Sequence, residues 1–328
     1  MRSIRILPIL ALAAACALPV GAFADESSVP EQIVDTMNLL FGRHPGIRAN
    51  HAKGVVVEGS FQPSAEGGKL SRAVLFQGAT IPVTVRFSDA TGVPTLPDGD
   101  PNANPHGMAV RFHLTDGGEM DIVANSLPFF PVATGEEFRD LLQAASMSGP
   151  DAAKPTPLER FVAAHPSVPA AVGILATPTS FARETYNGVN AFVFVDAADK
   201  RQPFRFQIAP VAGAEHLSAE DAAKQAPDFL MTELPARLAR EPAQFRLLAQ
   251  LAEAGDPLDD ATKPWPAERR MVDLGTITLT KPVADSAAAE KELLFMPTNL
   301  TDGIEASDDP LIQTRVDAYA ISFDRRSQ

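Results

Sequence analysis

The chain has 328 residues, the length of one large domain or two modest ones. Hydrophobic residues make up 45% of the sequence and charged residues 21%, which excludes a disordered or low-complexity chain. The formal net charge of −13 argues against nucleic acid as a partner, because phosphate binding needs a basic surface.

The N-terminal segment has the pattern of a secretory signal peptide. Arg2 and Arg5 precede an apolar stretch over residues 6–20, and residues 22–24 form a small-x-small cleavage site. We therefore expect a signal peptide over residues 1–24. No later apolar run approaches the roughly 20 residues of a spanning helix, so we expect no membrane association after cleavage.

Cleavage after Ala24 would change the chemistry of the chain. It would remove Cys16, the only cysteine, and leave 26 basic against 41 acidic residues. The mature domain, expected over residues 25–328, would then have no disulfide and no thiol nucleophile. A cysteine-free exported domain indicates the periplasm. A lipoprotein signal around Cys16 is the alternative, but Ala13 stands where leucine is usual.

The first half of the mature chain alternates between two periodicities. Helical spacing predicts a helix over residues 31–43, and period-two alternation over 51–124 predicts a set of antiparallel strands. A capping box of Thr134 and Glu137 predicts a helix over 134–147. Residues 155–172 are predicted to form two helices separated at Pro166.

The second half contains strands, a long helical region and a last helix. Strands are predicted over 191–195, 203–208 and 271–279, and a helical region interrupted by prolines over 219–254. No internal repeat or Gly/Ser linker divides the chain. We therefore predict one α+β domain whose early strands form a closed or nearly closed sheet.

The last helix carries an unusual polar stripe. Residues 307–310 form a strong helix start, with capping side chains followed by proline. At about 100° per residue, Arg315, Tyr319, Ser322 and Arg326 lie within about 60° of one another. An arginine one turn from a phenol stabilises a phenolate. The alternative is a tyrosine anchored in the core beside solvated arginines.

Three further residues are candidates for chemistry. His51 lies at the entry to the first predicted strand. It could be an acid–base group, a metal ligand or a structural residue. Ser88 and Asn125 lie at strand ends, either as hydrogen-bonding groups or as turn residues. The sequence has no H-E-x-x-H, G-x-S-x-G or phosphate-loop motif, which argues against common hydrolases and nucleotide-binding proteins. These residues alone define no reaction.

Taken together, the segments resemble the haem catalases, and more narrowly the short single-domain catalase-related peroxidases. The matching segments, in order, are residues 48–54, 85–88, 107–112, 121–125, 186–192, 260–266 and 295–319. They run from about residue 41 to the end of the chain. A single R-x-x-x-Y motif is weak evidence, but seven segments in the family's order are specific.

The resemblance implies an eight-stranded antiparallel β-barrel of catalase type with surrounding helices and a bound haem b. It implies Tyr319 as the iron ligand, in phenolate form, with Arg315 supporting its charge. It also implies that His51 moves a proton between the oxygens of hydrogen peroxide. Asn125 would orient the peroxide and Ser88 would position His51.

The resemblance also assigns groups that hold the haem. Arg48, Arg86 and Arg326 match positions that pair with the haem propionates, and Phe138 matches an aromatic residue packed on the distal haem face. The chain ends nine residues after Tyr319, whereas large catalases continue with wrapping and C-terminal segments. We therefore expect a haem that is more open to organic reductants.

The implied function is a haem-dependent peroxidase. It would reduce hydrogen peroxide, or an organic peroxide, with a small organic electron donor, and have weak or no catalase activity. Asn50, which replaces an apolar residue, and Asn104, near a usual acidic channel residue, depart from the family pattern. The alternatives are rearrangement of a fatty hydroperoxide, a haem or apolar-ligand carrier of the envelope, and a haem-free barrel. A monomer and a dimer are both compatible with the sequence.

Overall fold

Eight antiparallel strands close into a barrel in this computed structural model, which describes residues 27–328. Residues 27–328 contain ten strands, eight of which form the barrel: β1 Gly54–Pro63, β2 Ile81–Asp89, β3 His106–His113, β4 Glu119–Asn125, β5 Tyr186–Asn187, β6 Phe192–Val195, β7 Arg201–Pro210, β8 Ala243–Leu251, β9 Met271–Pro282 and β10 Ile304–Ala306. The ring runs β1-β2-β3-β4-β5-β7-β8-β9 and returns to β1. Strand β6 pairs beside β7, and β10 pairs with β6. The predicted barrel with surrounding helices is confirmed.

The helices lie around this barrel. They are α1 Val29–Phe41, α2 Gly67–Leu70, α3 Gly135–Ser146, α4 Pro157–Ala164, α5 Ser167–Val172, α6 Ala219–Ala222, α7 Phe229–Leu238, α8 Ser286–Glu292 and α9 Pro310–Ser327. Helices α1, α3 and α9 pack against one another. No helix within residues 27–328 is long and apolar enough to cross a membrane.

The barrel interior is filled by aromatic side chains. Phe87 stacks on Phe181 with ring centroids 5.4 Å apart, and both rings are fully buried. Because side chains alternate along a strand, Arg86 and Ser88 of β2 point away from this core. The aromatic side chains fill the interior of the barrel. The polar side chains of Arg86 and Ser88 therefore lie on its outer face.

One predicted element is wrong. Residues 243–251, which composition places in a long helical region, form strand β8 between β7 and β9. Ala243, Phe245 and Leu247 are buried while Gln244 and Arg246 are exposed, so the segment does have a period of two. Its alanines and leucines favour a helix locally, but closing the ring between two strands outweighs that preference.

The other predicted elements are confirmed, with one change of detail. Thr134 caps α3 by accepting a hydrogen bond from the Glu137 amide, but the Glu137 carboxylate accepts from the amide of Ala133 rather than of Thr134. The two helices separated at Pro166 are present. The predicted signal peptide over residues 1–24 lies outside the described residues.

Candidate active site

All nine candidate residues line one cavity between the outer face of β2 to β4 and helices α1, α3 and α9. They are Arg48, His51, Arg86, Ser88, Asn125, Phe138, Arg315, Tyr319 and Arg326. The atom-free space, including the mouth, is about 1350 Å³. A cavity of this size suits a large cofactor rather than a water molecule.

His51 is held in an unusual backbone conformation just before β1. Its φ of 54° lies in the left-handed region, which is costly for a residue other than glycine. Its carbonyl oxygen accepts a hydrogen bond from Arg86 Nη2 at 2.8 Å. On the side chain, Nδ1 lies 3.0 Å from Ser88 Oγ, so Nε2 is the nitrogen left for a ligand.

The surroundings of His51 favour its neutral form. Burial is the largest cause that lowers its pKa, to about 3, and the positive charges of Arg86, Arg48 and Arg315 add to it. A neutral imidazole can accept a proton at Nε2. The site therefore holds a base beside a large cavity at neutral pH.

Gly107 provides the space in which the His51 ring lies. A Cβ atom at this position would be 3.1 Å from His51 Cε1 and Nδ1 and 2.9 Å from Ser88 Oγ. These separations are closer than side chains normally approach. The absence of a side chain at residue 107 therefore sets the position of the imidazole.

For the haem-dependent peroxide reaction that the resemblance implies, replacing Gly107 with alanine is expected to displace His51 and slow peroxide consumption by about ten- to a hundredfold, because catalytic geometry is sensitive to shifts of about 1 Å. Haem content should stay unchanged. Initial rates of peroxide loss would measure the effect. Gly149→Ala is the matched control, since no atom lies within 4 Å of a Cβ there. Equal rates for both variants would contradict this positioning role.

Asn125 ends β4 at the cavity wall, directly opposite Gly107 in the β3–β4 register. Its side-chain Oδ1 accepts a hydrogen bond from the Leu127 amide at 2.8 Å. This bond fixes the carboxamide and leaves its NH₂ group to donate to a ligand. Asn125 and His51 thus supply a donor and an acceptor in the same cavity.

Tyr319 lies on α9 with Arg315 one turn before it. Arg315 Nε and Nη2 donate to Tyr319 Oη at 3.3 and 3.2 Å. The third guanidinium nitrogen donates to Asn190 Oδ1, and Asn190 Nδ2 donates to Asp309 Oδ2 at 2.8 Å. Asp309 in turn caps α9, so the guanidinium is anchored in an orientation that stabilises negative charge on the phenol oxygen.

A cluster of three arginines lies at another part of the cavity wall. Arg48 and Arg86 both contact the Glu290 carboxylate, at 3.3 and 2.7 Å. Arg48 and Arg326 each donate to the Leu293 carbonyl at 2.7 Å. Burial is the largest cause that lowers the pKa of both Arg48 and Arg326, and the positive charge of Arg86 lowers it further. One carboxylate for three guanidinium groups leaves the cluster short of negative charge.

The remaining cavity wall is mostly apolar. Phe138 of α3 packs against Phe130 with ring centroids 5.3 Å apart. Ile33, Val34 and Met37 of α1 also line the cavity and are buried. Apolar walls, one anchored phenol and a cluster of cations form a binding site for a flat, largely apolar molecule that carries carboxylates.

Comparison with known sequences decides the family. The sequence model described as Catalase matches residues 42–326, nearly all of the described chain. The chain belongs to the catalase family. It is 35% identical over 302 residues to a protein of Mycolicibacterium paratuberculosis named catalase-related peroxidase, covering 91% of this chain and 95% of that one. A Synechococcus elongatus protein of the same name is 32% identical over 327 residues, covering 98% and 96%.

Solved catalase structures show the same fold. A fungal catalase superposes with a TM-score of 0.77 at 21% identity and covers 87% of this chain. Catalase A from Saccharomyces cerevisiae gives 0.76 at 21% identity, also covering 87%. This catalase-family chain spans 59% and 62% of the lengths of those two proteins.

Membership of the catalase family implies a haem cofactor, and the cavity fits one. Tyr319 presents a phenol oxygen that could ligate the iron, and Arg315, which donates to that oxygen, would stabilise a negative charge on it. Arg326 Nε is buried and has no hydrogen-bond partner among residues 27–328, so it is free to bind an acidic group. The apolar walls accommodate a porphyrin ring, and Arg48, Arg86 and Arg326 can bind its carboxylates.

Three contributors to this catalase-family site were not predicted from the sequence. Glu290 lies in an alanine-rich acidic helix with no recognisable motif, and it reaches Arg86 across 204 residues. Asn190 lies in a matched segment, but nothing local connects it to Arg315. Gly107 also lies in a matched segment, and a glycine inside a predicted strand is a signal for close packing that could have singled it out.

Proposed function

We propose that this protein is a haem-dependent peroxidase that reduces hydrogen peroxide with an organic electron donor. The observation that carries the proposal is the pairing of a neutral, half-buried His51 with Asn125 in the cavity that also contains Tyr319 and the arginine cluster. The relatives named catalase-related peroxidase favour this function over hydroperoxide rearrangement or a carrier role. A carrier would need the phenol and the arginines but no base.

The protein's own groups handle the proton of the peroxide. The Asn125 NH₂ group orients the molecule by donating to one oxygen, and His51 Nε2 accepts a proton from one oxygen and returns it to the other. Ser88 holds the imidazole through Nδ1 during both transfers. When bound, the haem supplies the redox-active iron at which the O–O bond is cleaved.

Each turnover balances with two equivalents of donor. One hydrogen peroxide takes up two electrons and two protons to give two waters, and two donor molecules each give up one electron and one hydrogen ion. A phenol is a suitable donor class because it loses both together. Dioxygen is not a product of this reaction, which distinguishes it from catalase turnover.

We infer that the haem is of type b, because the sequence has a single cysteine, Cys16, and no C-x-x-C-H motif to which a c-type haem would be attached. The charges around the site fit a haem with two propionates. Three guanidinium groups and the Glu290 carboxylate leave two positive charges uncompensated. Haem b carries two propionates, which would make the cluster neutral. A pyridine haemochrome spectrum of the loaded protein checks the type, and the spectrum of another haem would contradict the inference.

Peroxide consumption and donor oxidation, measured together, test the proposed function. The haem-loaded protein should oxidise two equivalents of a one-electron phenolic donor for each peroxide consumed and evolve little dioxygen. Negligible donor oxidation with fast dioxygen evolution would overturn the peroxidase proposal. Absence of a Soret band after expression with ample haem would overturn the haem assignment.

The lowered pKa of His51 predicts how kcat/KM for peroxide depends on pH. An ordinary histidine, with a pKa of about 6.5, would be mostly protonated at pH 5. Its neutral fraction would fall about thirtyfold between pH 8 and pH 5. Because the pKa of His51 is lowered to about 3, its neutral form persists as the pH falls from 8 to 5. We therefore expect kcat/KM for peroxide to stay within about twofold over that range. An inflection near pH 6.5 would contradict a base whose pKa is lowered in this way.

We also propose that the protein acts in the periplasm. The support is the N-terminal pattern of Arg2 and Arg5, an apolar stretch and a cleavage site before Asp25. N-terminal sequencing of protein recovered from a periplasmic extract should begin at Asp25. An intact Met1 terminus in a cytoplasmic fraction would contradict export, and a lipid-modified Cys16 would identify the lipoprotein signal instead.

A further inference from the structure

Ser322 is the one residue of the polar stripe on α9 to which the proposed reaction gives no role. Hydroxyl side chains within a helix commonly donate to a carbonyl oxygen of the preceding turn. Thr314 and Ser327 of α9 do so, at 3.3 and 2.8 Å. Ser322 forms no such bond in the part of the chain that the structure describes. Its Oγ instead accepts a hydrogen bond from the Ala49 amide at 3.2 Å.

This hydrogen bond joins two walls of the active-site cavity. Ser322 lies about one turn after Tyr319 on α9, Ala49 lies two residues before His51, and all four residues line the cavity. Within residues 27–328, no other hydrogen bond links α9 directly to residues 48–52. The bond therefore restrains the distance between the wall that carries the phenol and the wall that carries the imidazole.

The backbone around His51 needs such a restraint. The φ of His51, 54°, is costly for a residue other than glycine, and it persists only where surrounding contacts hold the backbone in place. After His51, the Ala52 amide donates to the Thr91 carbonyl at 2.8 Å. Before it, the Ala49 amide donates to Ser322. His51 thus lies between a contact to the loop that follows β2 and a contact to α9.

The Ala49 backbone is also packed closely on its other side. A Cβ atom at residue 92 would overlap the Ala49 carbonyl oxygen, so Gly92 allows the two segments to approach. Ala49 is therefore held between Gly92 and Ser322. Removal of the Ser322 hydroxyl would leave space on the α9 side and an amide without its acceptor.

We propose that Ser322 is a positioning residue, which holds the Ala49 backbone and thereby sets the place of His51 relative to Tyr319. This inference rests on the proposed peroxidase function for its effect on the rate. Ser322 acts in this role through the backbone and does not contact the peroxide. The hydroxyl oxygen is the group that matters, so threonine should replace serine and alanine or valine should not.

Amide hydrogen exchange tests the contact independently of the reaction. In haem-loaded Ser322→Ala, the Ala49 amide should exchange about tenfold faster than in the wild type, because it loses its hydrogen-bond acceptor. Ser322→Thr keeps the oxygen and should exchange like the wild type. Ser322→Val has the shape of threonine without the hydroxyl and should exchange like the alanine variant. Ser327→Ala is the matched control, because Ser327 is exposed and does not line the cavity.

The same variants test the effect on His51. We expect kcat/KM for peroxide to fall about tenfold in Ser322→Ala and Ser322→Val, since proton transfer requires placement to within about 1 Å. Ser322→Thr and Ser327→Ala should stay within about twofold of the wild type. The ratio of Soret to protein absorbance should be the same in all of them, because Tyr319, Arg315 and the arginine cluster are unchanged.

The failures of this proposal are distinguishable from one another. Wild-type exchange at Ala49 in Ser322→Ala would show that the hydroxyl does not hold the backbone. Faster exchange with an unchanged peroxide rate, or equal rates for the threonine and valine variants, would overturn the positioning role. Loss of the Soret band in Ser322→Ala would also overturn it, by showing that Ser322 is needed for haem binding. If the wild-type protein consumes no peroxide with any phenolic donor, the peroxidase function itself fails, and the exchange rates still decide whether Ser322 holds Ala49.

Discussion

Replacing His51 with alanine is expected to slow peroxide consumption by about 10²- to 10⁴-fold, the contribution of a positioned acid–base group. Among residues 27–328, His51 is the only histidine that lines the cavity with Asn125, and the variant loses its Nε2. Haem should remain bound, because Tyr319, Arg315 and the arginine cluster are untouched. Initial rates of peroxide loss with a phenolic donor, together with the Soret absorbance, would measure both effects.

His113→Ala is the matched control for this prediction. His113 is a half-exposed residue of β3 that faces Glu119 and does not line the cavity. Its removal should leave the rate within about twofold. Unchanged peroxide consumption by the His51 variant would overturn the acid–base role and favour a haem carrier. Loss of the Soret band in that variant would instead show that His51 is needed for haem binding.

Replacing Tyr319 with phenylalanine is expected to abolish stable haem binding. The change removes one oxygen atom, keeps the ring and leaves Arg315 beside a group that cannot carry negative charge. Without the phenol oxygen, a bound haem would lose the protein ligand that we propose for its iron, and with it its strongest bond to the chain. The ratio of Soret to protein absorbance after gel filtration should fall at least tenfold.

The chain provides its own control for this change, because it has two tyrosines. Tyr186 is fully buried in the barrel, where its hydroxyl donates to the Phe181 carbonyl at 2.9 Å. Tyr186→Phe should lower the free energy of unfolding by about 1 kcal/mol and retain haem. Full haem retention by the Tyr319 variant would contradict ligation through the phenol oxygen.

Local patterns in the sequence were sufficient for most of the fold. Alternation in residues 81–89 and 106–113 predicts strands because every second side chain enters the aromatic core. The same approach failed for 243–251, where alanine and leucine favour a helix and only pairing with β7 and β9 makes a strand. Strand pairing depends on the neighbours, and a local window does not contain them.

The sequence by itself determined the Arg315–Tyr319 pair, because both residues lie on one helix and helical geometry places them one turn apart. It also determined the nine candidate residues, through the order of the family's motifs. Only the tertiary structure decided that Glu290 pairs with both Arg48 and Arg86, that Gly107 makes room for His51, and that Asn190 anchors Arg315. The partners in these contacts come from distant parts of the chain, and the barrel and α9 bring them together.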